Sequence, residues 1–234
     1  MIRGRLKAPG EQGEPDFRWR GHEVTRLEGF SDAVFAFAVT LLVVSLEVPK
    51  TYDELMHAMR GFLSFGVCFA LLASVWWNHC RFFRRYGLED STAVFLNCLL
   101  LFFVLFYVYP MKFLFVTVIA GDLVEPQQAR MLFTIYGAGY ALVFLVFALL
   151  YGHAWRRRGE LALNPLECLK TKHGLYNQIA MVIIGLSSVA LAWSLPLRLL
   201  GLAGYFYFVN LPYFTVAERI FGKRQRELAA QSVH

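Results

Sequence analysis

Arg26, Glu28 and Asp32 stand at the entrance of "RLEGFSDAVFAFAVTLLVVSLEVP" (Arg26 to Pro49), a stretch that is otherwise almost wholly apolar. A simple anchor needs only lysines or arginines at such a boundary, and a carboxylate one turn into an apolar run is costly. Similar boundaries follow. "VWWNHCRFFRRY" closes a second apolar run and "LEDSTAVFLN" opens a third, bringing His79, Arg81, Glu89, Asp90 and Asn97 to comparable positions. Ionisable groups at these positions either mark an ion path or staple helices to one another. Catalytic chemistry finds no support. His79 and His153 lack His or Glu neighbours at ligand spacing, and neither an H-E-x-x-H nor a Ser-His-Asp arrangement is present. Cys68, Cys80, Cys98 and Cys168 show no CxxC spacing and read as small packing residues. No metal or cofactor is expected, and the chain does not read as an enzyme.

The elements that carry these residues follow from apolar length. The chain has 234 residues, is 57% hydrophobic and only 17% charged, with a mean hydropathy of +0.47. A helix needs about 20 apolar residues to cross a bilayer. Six runs meet that need: Ser31–Val48, Phe62–Cys80, Ala93–Val118, Leu132–Trp155, Tyr176–Leu195 and Leu199–Val216. The expected fold class is therefore an all-α membrane protein with six transmembrane helices. Pro49, Gly121-Asp122 and Arg156-Arg157-Arg158-Gly159 punctuate the runs, Pro196 turns the chain between the last two, and Pro110 should kink the third.

Basic residues orient the bundle. The N-terminal tail, the second-to-third loop, the fourth-to-fifth loop and the C-terminal tail hold 6, 3, 5 and 4 Lys/Arg. The opposite side holds only Lys50, Arg60, Lys112, Arg130 and Arg198. Both termini are thus expected in the cytoplasm, in a multi-pass protein of the cell (inner) membrane. The net charge of +6 is accounted for by topology, so no nucleic-acid partner is expected. No signal-peptide pattern precedes the first run. Residues 1–25 read as a cytoplasmic tail, with Met1–Glu23 loosely ordered, residues 26–217 as one six-helix unit and residues 218–234 as a basic cytoplasmic tail.

Ser31 and Asp32 have a plain reading as residues that cap or flank the first helix, where the dipole favours them. Arg26 lies six residues from Asp32, about 240° around a helix, so the two cannot pair on one face. Each must find partners on other helices.

"RLEGFSD" carries R-x-x-x-F-S-D as Arg26, Phe30, Ser31 and Asp32. It resembles the signature of the endolysosomal potassium channel family (transmembrane protein 175), in its single-repeat bacterial form. Trp76 and His79 match a W-x-x-H on the second helix, Asp90 and Asn97 an acidic residue and an Asn on the third, and Pro110 a proline beyond them. The likeness covers the first three helices; the last three match in hydropathy alone. It implies a homotetramer in the lipid bilayer, conducting monovalent cations, with the first helix lining a central pore. It implies too that Arg26, Phe30, Ser31, Asp32, Trp76, His79, Asp90 and Asn97 form a network that sets the angle of that helix instead of touching the ion.

By its spacing from the motif, the family's apolar constriction maps onto Phe37, Leu41 and Val44, with Thr40 beside it as the one hydroxyl within reach. Such a ring is a hydrophobic gate, which empties of water and must widen or rehydrate before an ion passes. Modest preference for K⁺ over Na⁺ is the expectation, potassium being the permeant ion. Family members more often carry Ile or Leu where this chain has Phe37. The nearest look-alike to a carbonyl filter, "TIYGAGY" (Thr134–Tyr140), lies inside a continuous run, where its glycines suit close helix packing. Two other classes stand beside the channel: a secondary transporter, which calls for repeats and midplane charges not evident here, and a non-conducting membrane scaffold.

Overall fold

The computed structural model describes residues 13–14, 17–21, 24–44, 50–120, 126–196 and 199–231. Two short antiparallel strands, β1 (Gly13–Glu14) and β2 (Phe17–Arg18), precede five long helices. These are α1 (Arg26–Val44), α2 (Tyr52–Tyr86), α3 (Ser91–Ala120), α4 (Pro126–Arg156) and α5 (Pro165–Ser194). Among the described residues α3, α4 and α5 are each long and apolar enough to cross a membrane. The 35 residues of α2 make about 52 Å of helix, well beyond about 30 Å of hydrocarbon. This helix starts ten residues before the expected span and ends six after it. The end of the first expected span, residues 45–48, lies outside the described residues.

The sixth expected span, Leu199–Val216, is not one helix. It is divided into α6 (Gly201–Tyr205), a 3-10 turn (Phe206–Val209) and α7 (Asn210–Gln231). Hydropathy does not change across this break. Gly201, Gly204 and a proline in the first turn of α7, Pro212, are the local features that suit an interruption. α3 runs through Pro110, beside which the Tyr136 hydroxyl donates to the Pro110 carbonyl.

α1 begins earlier than Ser31, and its cap is elsewhere. Thr25 Oγ1 accepts from the Glu28 amide at 3.2 Å, and Glu28 Oε2 accepts from the Thr25 amide at 3.1 Å. This reciprocal capping box leaves Glu28 a structural role and places Ser31 and Asp32 inside the helix. α5 starts on the same device, Asn164 with Glu167, and with Pro165 at its first position.

The main core is formed by the inward faces of α1 to α4 and includes Phe35, Ala38, Leu42, Phe82, Leu100 and Phe147. Lipid offers no hydrophobic drive for helices to associate, so close van der Waals packing must supply it. α4 and α5 show how. A Cβ on Gly137 would lie 2.8 Å from the Gly185 carbonyl, and one on Gly185 would lie 2.9 Å from that of Gly137. Gly139 likewise leaves room for the Tyr107 ring. The glycines of "TIYGAGY" thus serve helix packing.

Residues 17–21 are packed, in contrast to the loose order expected of Met1–Glu23. Phe17 is 2% exposed, edge-on to Tyr86 at 5.6 Å between centroids and under the Arg85 guanidinium at 5.0 Å. Arg20 forms a 2.7 Å ion pair with the buried Glu167 at the start of α5 and donates to the Leu161 carbonyl at 2.8 Å. The amides of Arg20 and Gly21 both donate to the Arg84 carbonyl at 3.1 Å. Gly87, at φ +57°, ends α2 where this strap passes; a Cβ there would sit 3.0 Å from the Arg20 backbone. Residues 17–21 therefore form a strap across α2 and α5, five residues before α1 begins.

Candidate functional site at the first helix

The foot of α1 is held by a buried polar chain that runs through three helices. Ser31 and Asn97 are fully buried and His79 is nearly so. The Ser31 hydroxyl donates to the Leu27 carbonyl at 2.8 Å, so its oxygen is left to accept, and it accepts from Asn97 Nδ2 at 2.9 Å. That fixes the amide: Asn97 Oδ1 faces His79 Nε2 at 2.7 Å. An amide oxygen only accepts, so Nε2 carries the hydrogen and donates. His79 Nδ1 is then a lone pair, buried and without a hydrogen-bond partner among the described residues. The ring is packed by Phe83 at 4.7 Å and Phe35 at 5.7 Å. One turn toward the interior of α2, the Trp76 indole donates to Asp32 Oδ1 at 2.8 Å. Ser31 and Asp32 thus reach different partners from adjacent positions, and together they fix the rotation of α1 about its axis.

Three residues of the expected network, Asp90, Arg26 and Phe30, are placed otherwise. Asp90 joins none of the motif residues. It caps α3 through the Thr92 amide at 3.3 Å and meets His153 of α4 at 3.0 Å and Arg157, just past the end of α4, at 3.8 Å. Burial opposes its ionisation, but the His153 hydrogen bond and charge, then Arg157 and the Thr92 amide, outweigh it. The Asp90 carboxyl is held below the usual carboxylate range. Sequence spacing gave Asp90 the right depth but not its direction around the bundle. Arg26 is exposed in the first turn of α1 and has no hydrogen bond or ion pair among the described residues. Phe30 is 55% exposed.

Higher on α1 the two faces differ sharply. Phe35, Ala38 and Leu42 are buried against α2 and α3, while Phe37 is 56% exposed and Val43 is exposed as well. Thr40 shares the open face, its hydroxyl donating to the Ala36 carbonyl at 3.0 Å. That bond occupies the proton and leaves oxygen lone pairs on the open side. Leu41 is half-buried and packs on the subunit's own core. The Val44 side chain lies outside the described residues. The open face is thus Phe30, Phe37 and Thr40, with Leu41 on its flank.

Sequence reading missed the ion pair of Arg20 with Glu167. The signal available was N-P-x-E at Asn164–Glu167, a capping box that places a carboxylate at a helix start; nothing local pointed to Arg20 as its partner.

A bundle in which α3, α4 and α5 are each long and apolar enough to cross a membrane defines an integral membrane protein. The model of the endosomal/lysosomal potassium channel TMEM175 family matches residues 26–110. A potassium channel of Marivirga tractuosa is 38% identical over 232 residues, 92% of this chain and 94% of its own length. A crystal structure of a point variant of the potassium channel MtTMEM175, bound to a nanobody fusion, superimposes with a TM-score of 0.79 at 36% identity, covering 90% of this chain and 98% of that one. The lysosomal potassium-selective channel homologue from Chamaesiphon minutus gives a TM-score of 0.50 at 28% identity, covering 79% and 96%. The chain belongs to the TMEM175 family, whose members are ion channels and not enzymes and which implies no cofactor.

Proposed function

We propose that this chain forms a potassium-permeable channel in the cell membrane, with four copies arranged so that α1 lines a central pore and both termini face the cytoplasm. The observation that supports this most is the open face of α1, which leaves Phe37 56% exposed in the middle of an apolar helix whose other face is fully packed. In a fourfold assembly Phe37 forms the narrowest apolar ring and works as a hydrophobic gate, with Leu41 and Val44 continuing the constriction. Thr40 presents the oxygen nearest that ring. Among its described residues α1 carries no charged side chain after Asp32, so discrimination rests on pore width and on Thr40, and K⁺ is preferred over Na⁺ only modestly. The network of Ser31, Asp32, Trp76, His79 and Asn97 sets the angle of α1 without touching the ion.

Reconstitution tests the reading directly. Purified protein in liposomes under a K⁺ gradient should collapse a fluorescent membrane-potential signal, more slowly with Na⁺, and should have the mass of four chains. Monodisperse protein with no cation flux, or flux from a single chain, overturns it.

A further inference from the structure

Two cations converge on one indole where α4 ends. The Arg158 guanidinium lies 4.7 Å from the centre of the Trp155 ring, and the Lys172 ammonium of α5 lies 4.6 Å from it. Both side chains are exposed, and neither forms an ion pair among the described residues. The carboxylates at this end of the bundle pair with other groups: Asp90 with His153, Glu160 with Arg157 and Glu167 with Arg20. Arg158 Nη1 donates to the Trp155 carbonyl at 3.1 Å. Its remaining donors, those of Lys172 and the Trp155 indole N–H have no acceptor among the described residues.

This cluster stands at the level where charge begins. From Met131 to Trp155 on α4 and from His173 to Ser194 on α5 the sequence holds no Asp, Glu, Lys or Arg, and both helices are of membrane-crossing length. A tryptophan at such a boundary belongs to the headgroup layer. Tyr176, Ile179, Ile183 and Leu186 follow Lys172 at i+4, i+7, i+11 and i+14, on the same face of α5. All four are exposed. From Tyr176 to Leu186 this stripe is about 15 Å long, half of about 30 Å of hydrocarbon and so the depth of one leaflet. A cationic head thus stands over an apolar track.

We infer that this face of α5 binds an anionic phospholipid, with its phosphate held by Arg158, Lys172 and the Trp155 N–H and an acyl chain laid along Tyr176 to Leu186. Basic groups at the membrane surface attract such headgroups. A zwitterionic headgroup would bring a further cation to two that are already unpaired, and a soluble phosphate would leave the apolar stripe unused. The inference needs only the membrane-spanning helices and does not depend on the channel reading.

The test uses full-length protein in phosphatidylcholine liposomes with trace photoreactive lipid. Two probes carry the same diazirine-bearing acyl chain, one on phosphatidylglycerol and one on phosphatidylcholine. The phosphatidylglycerol probe should label the α5 peptide holding Tyr176 to Leu186 saturably, and about 10- to 30-fold more than the other, from about fivefold per cation. Arg158→Gln or Lys172→Gln should lower that ratio about fivefold, and the double variant should bring it close to one. The charge-preserving pair Arg158→Lys with Lys172→Arg should keep most of it. Lys223→Gln with Arg224→Gln removes two exposed charges from α7 and should leave the ratio within about twofold. Glycerol phosphate in the buffer should not displace the probe. If the variants fail to elute as folded protein, the wild-type ratio and the glycerol phosphate competition decide. Five results overturn the inference: no labelling of α5, as when a second copy covers this face; equal labelling by the two probes; a ratio unmoved by the double variant; an equal fall from the α7 pair; or displacement by glycerol phosphate.

Discussion

Truncating Phe37 to Ala separates a pore-lining ring from a packing residue, because the two roles put the cost in different places. A fully buried Phe→Ala change costs about 3–5 kcal/mol through lost contacts and a residual cavity. Phe37 is 56% exposed within its own chain, so under half of the full burial value of about 1.5–3 kcal/mol is at stake, or about 1 kcal/mol. In lipid even that is an upper figure, since hydrocarbon surroundings solvate the ring. The expected loss of thermal stability is about 2–4 °C, using the scaling for soluble chains of this size. Function should change far more. In the proposed fourfold pore, removing four rings from one level favours wetting, and a wet neck is what a cation needs. Flux per channel should rise several-fold, and preference for K⁺ over Na⁺ should fall. The measurements are a liposome flux assay under K⁺ and Na⁺ gradients and a thermal melt in detergent on the same preparation. A large drop in melting temperature, about 10 °C or more, with flux per folded channel unchanged would refute the reasoning.

Three further outcomes follow from the buried polar contacts. Asn97→Ala strands the His79 Nε2 donor and should cost about 2–4 kcal/mol, an unmet buried hydrogen-bonding group plus a small void, seen as a lower melting temperature; an unchanged melt would show that the chain from Ser31 to His79 carries no stability. Arg20→Ala leaves Glu167 as a buried charge without its guanidinium and should cost about 3–5 kcal/mol, while the double variant Arg20→Ala with Glu167→Gln should recover part of that loss; additive losses would contradict the ion pair. Asp90 is held below the usual carboxylate range by His153 and Arg157, so its contribution is present above the unfolded value of about 3.9 and disappears as pH falls through its lower folded value. Asp90→Asn should therefore melt lower than the wild type at neutral pH, and the two should converge in strong acid; a gap that persists there would assign the effect to something other than charge.

Much of this molecule can be read from its residues, and the limits have physical causes. Uninterrupted apolar length identifies α3, α4 and α5 because crossing hydrocarbon demands it. The spacing of Ser31, Trp76, His79 and Asn97 brings those side chains to one level, and the structure joins Ser31, His79 and Asn97 in one chain of bonds. Level is not direction, however. Asp90 sits close in depth yet turns to α4, because the side of the bundle that a helix end faces is decided by packing that spacing does not encode. Thr25-x-x-Glu28 was legible as a helix start, and it is the motif's own charge, which draws notice to Asp32, that hides it. The division of the last segment is invisible to hydropathy, since a broken helix and a whole one bury the same apolar atoms. The strap was beyond reach for a further reason: Arg20 and Glu167 are separated by 147 positions, and only the closed fold makes them neighbours.

That separation has a consequence for how the protein is made. Arg20 leaves the ribosome well before Glu167, which stands 147 positions further along the chain. At about 5–20 residues per second the guanidinium waits about 7–30 s for its carboxylate. During that interval α1 can enter the bilayer, but nothing holds its foot to α5. The ion pair can close only when the start of α5 has been synthesised, so the anchoring of the strap to α5 is a late event in biogenesis, and a chain arrested before residue 167 would present Arg20 without its carboxylate to the quality-control machinery of the cell.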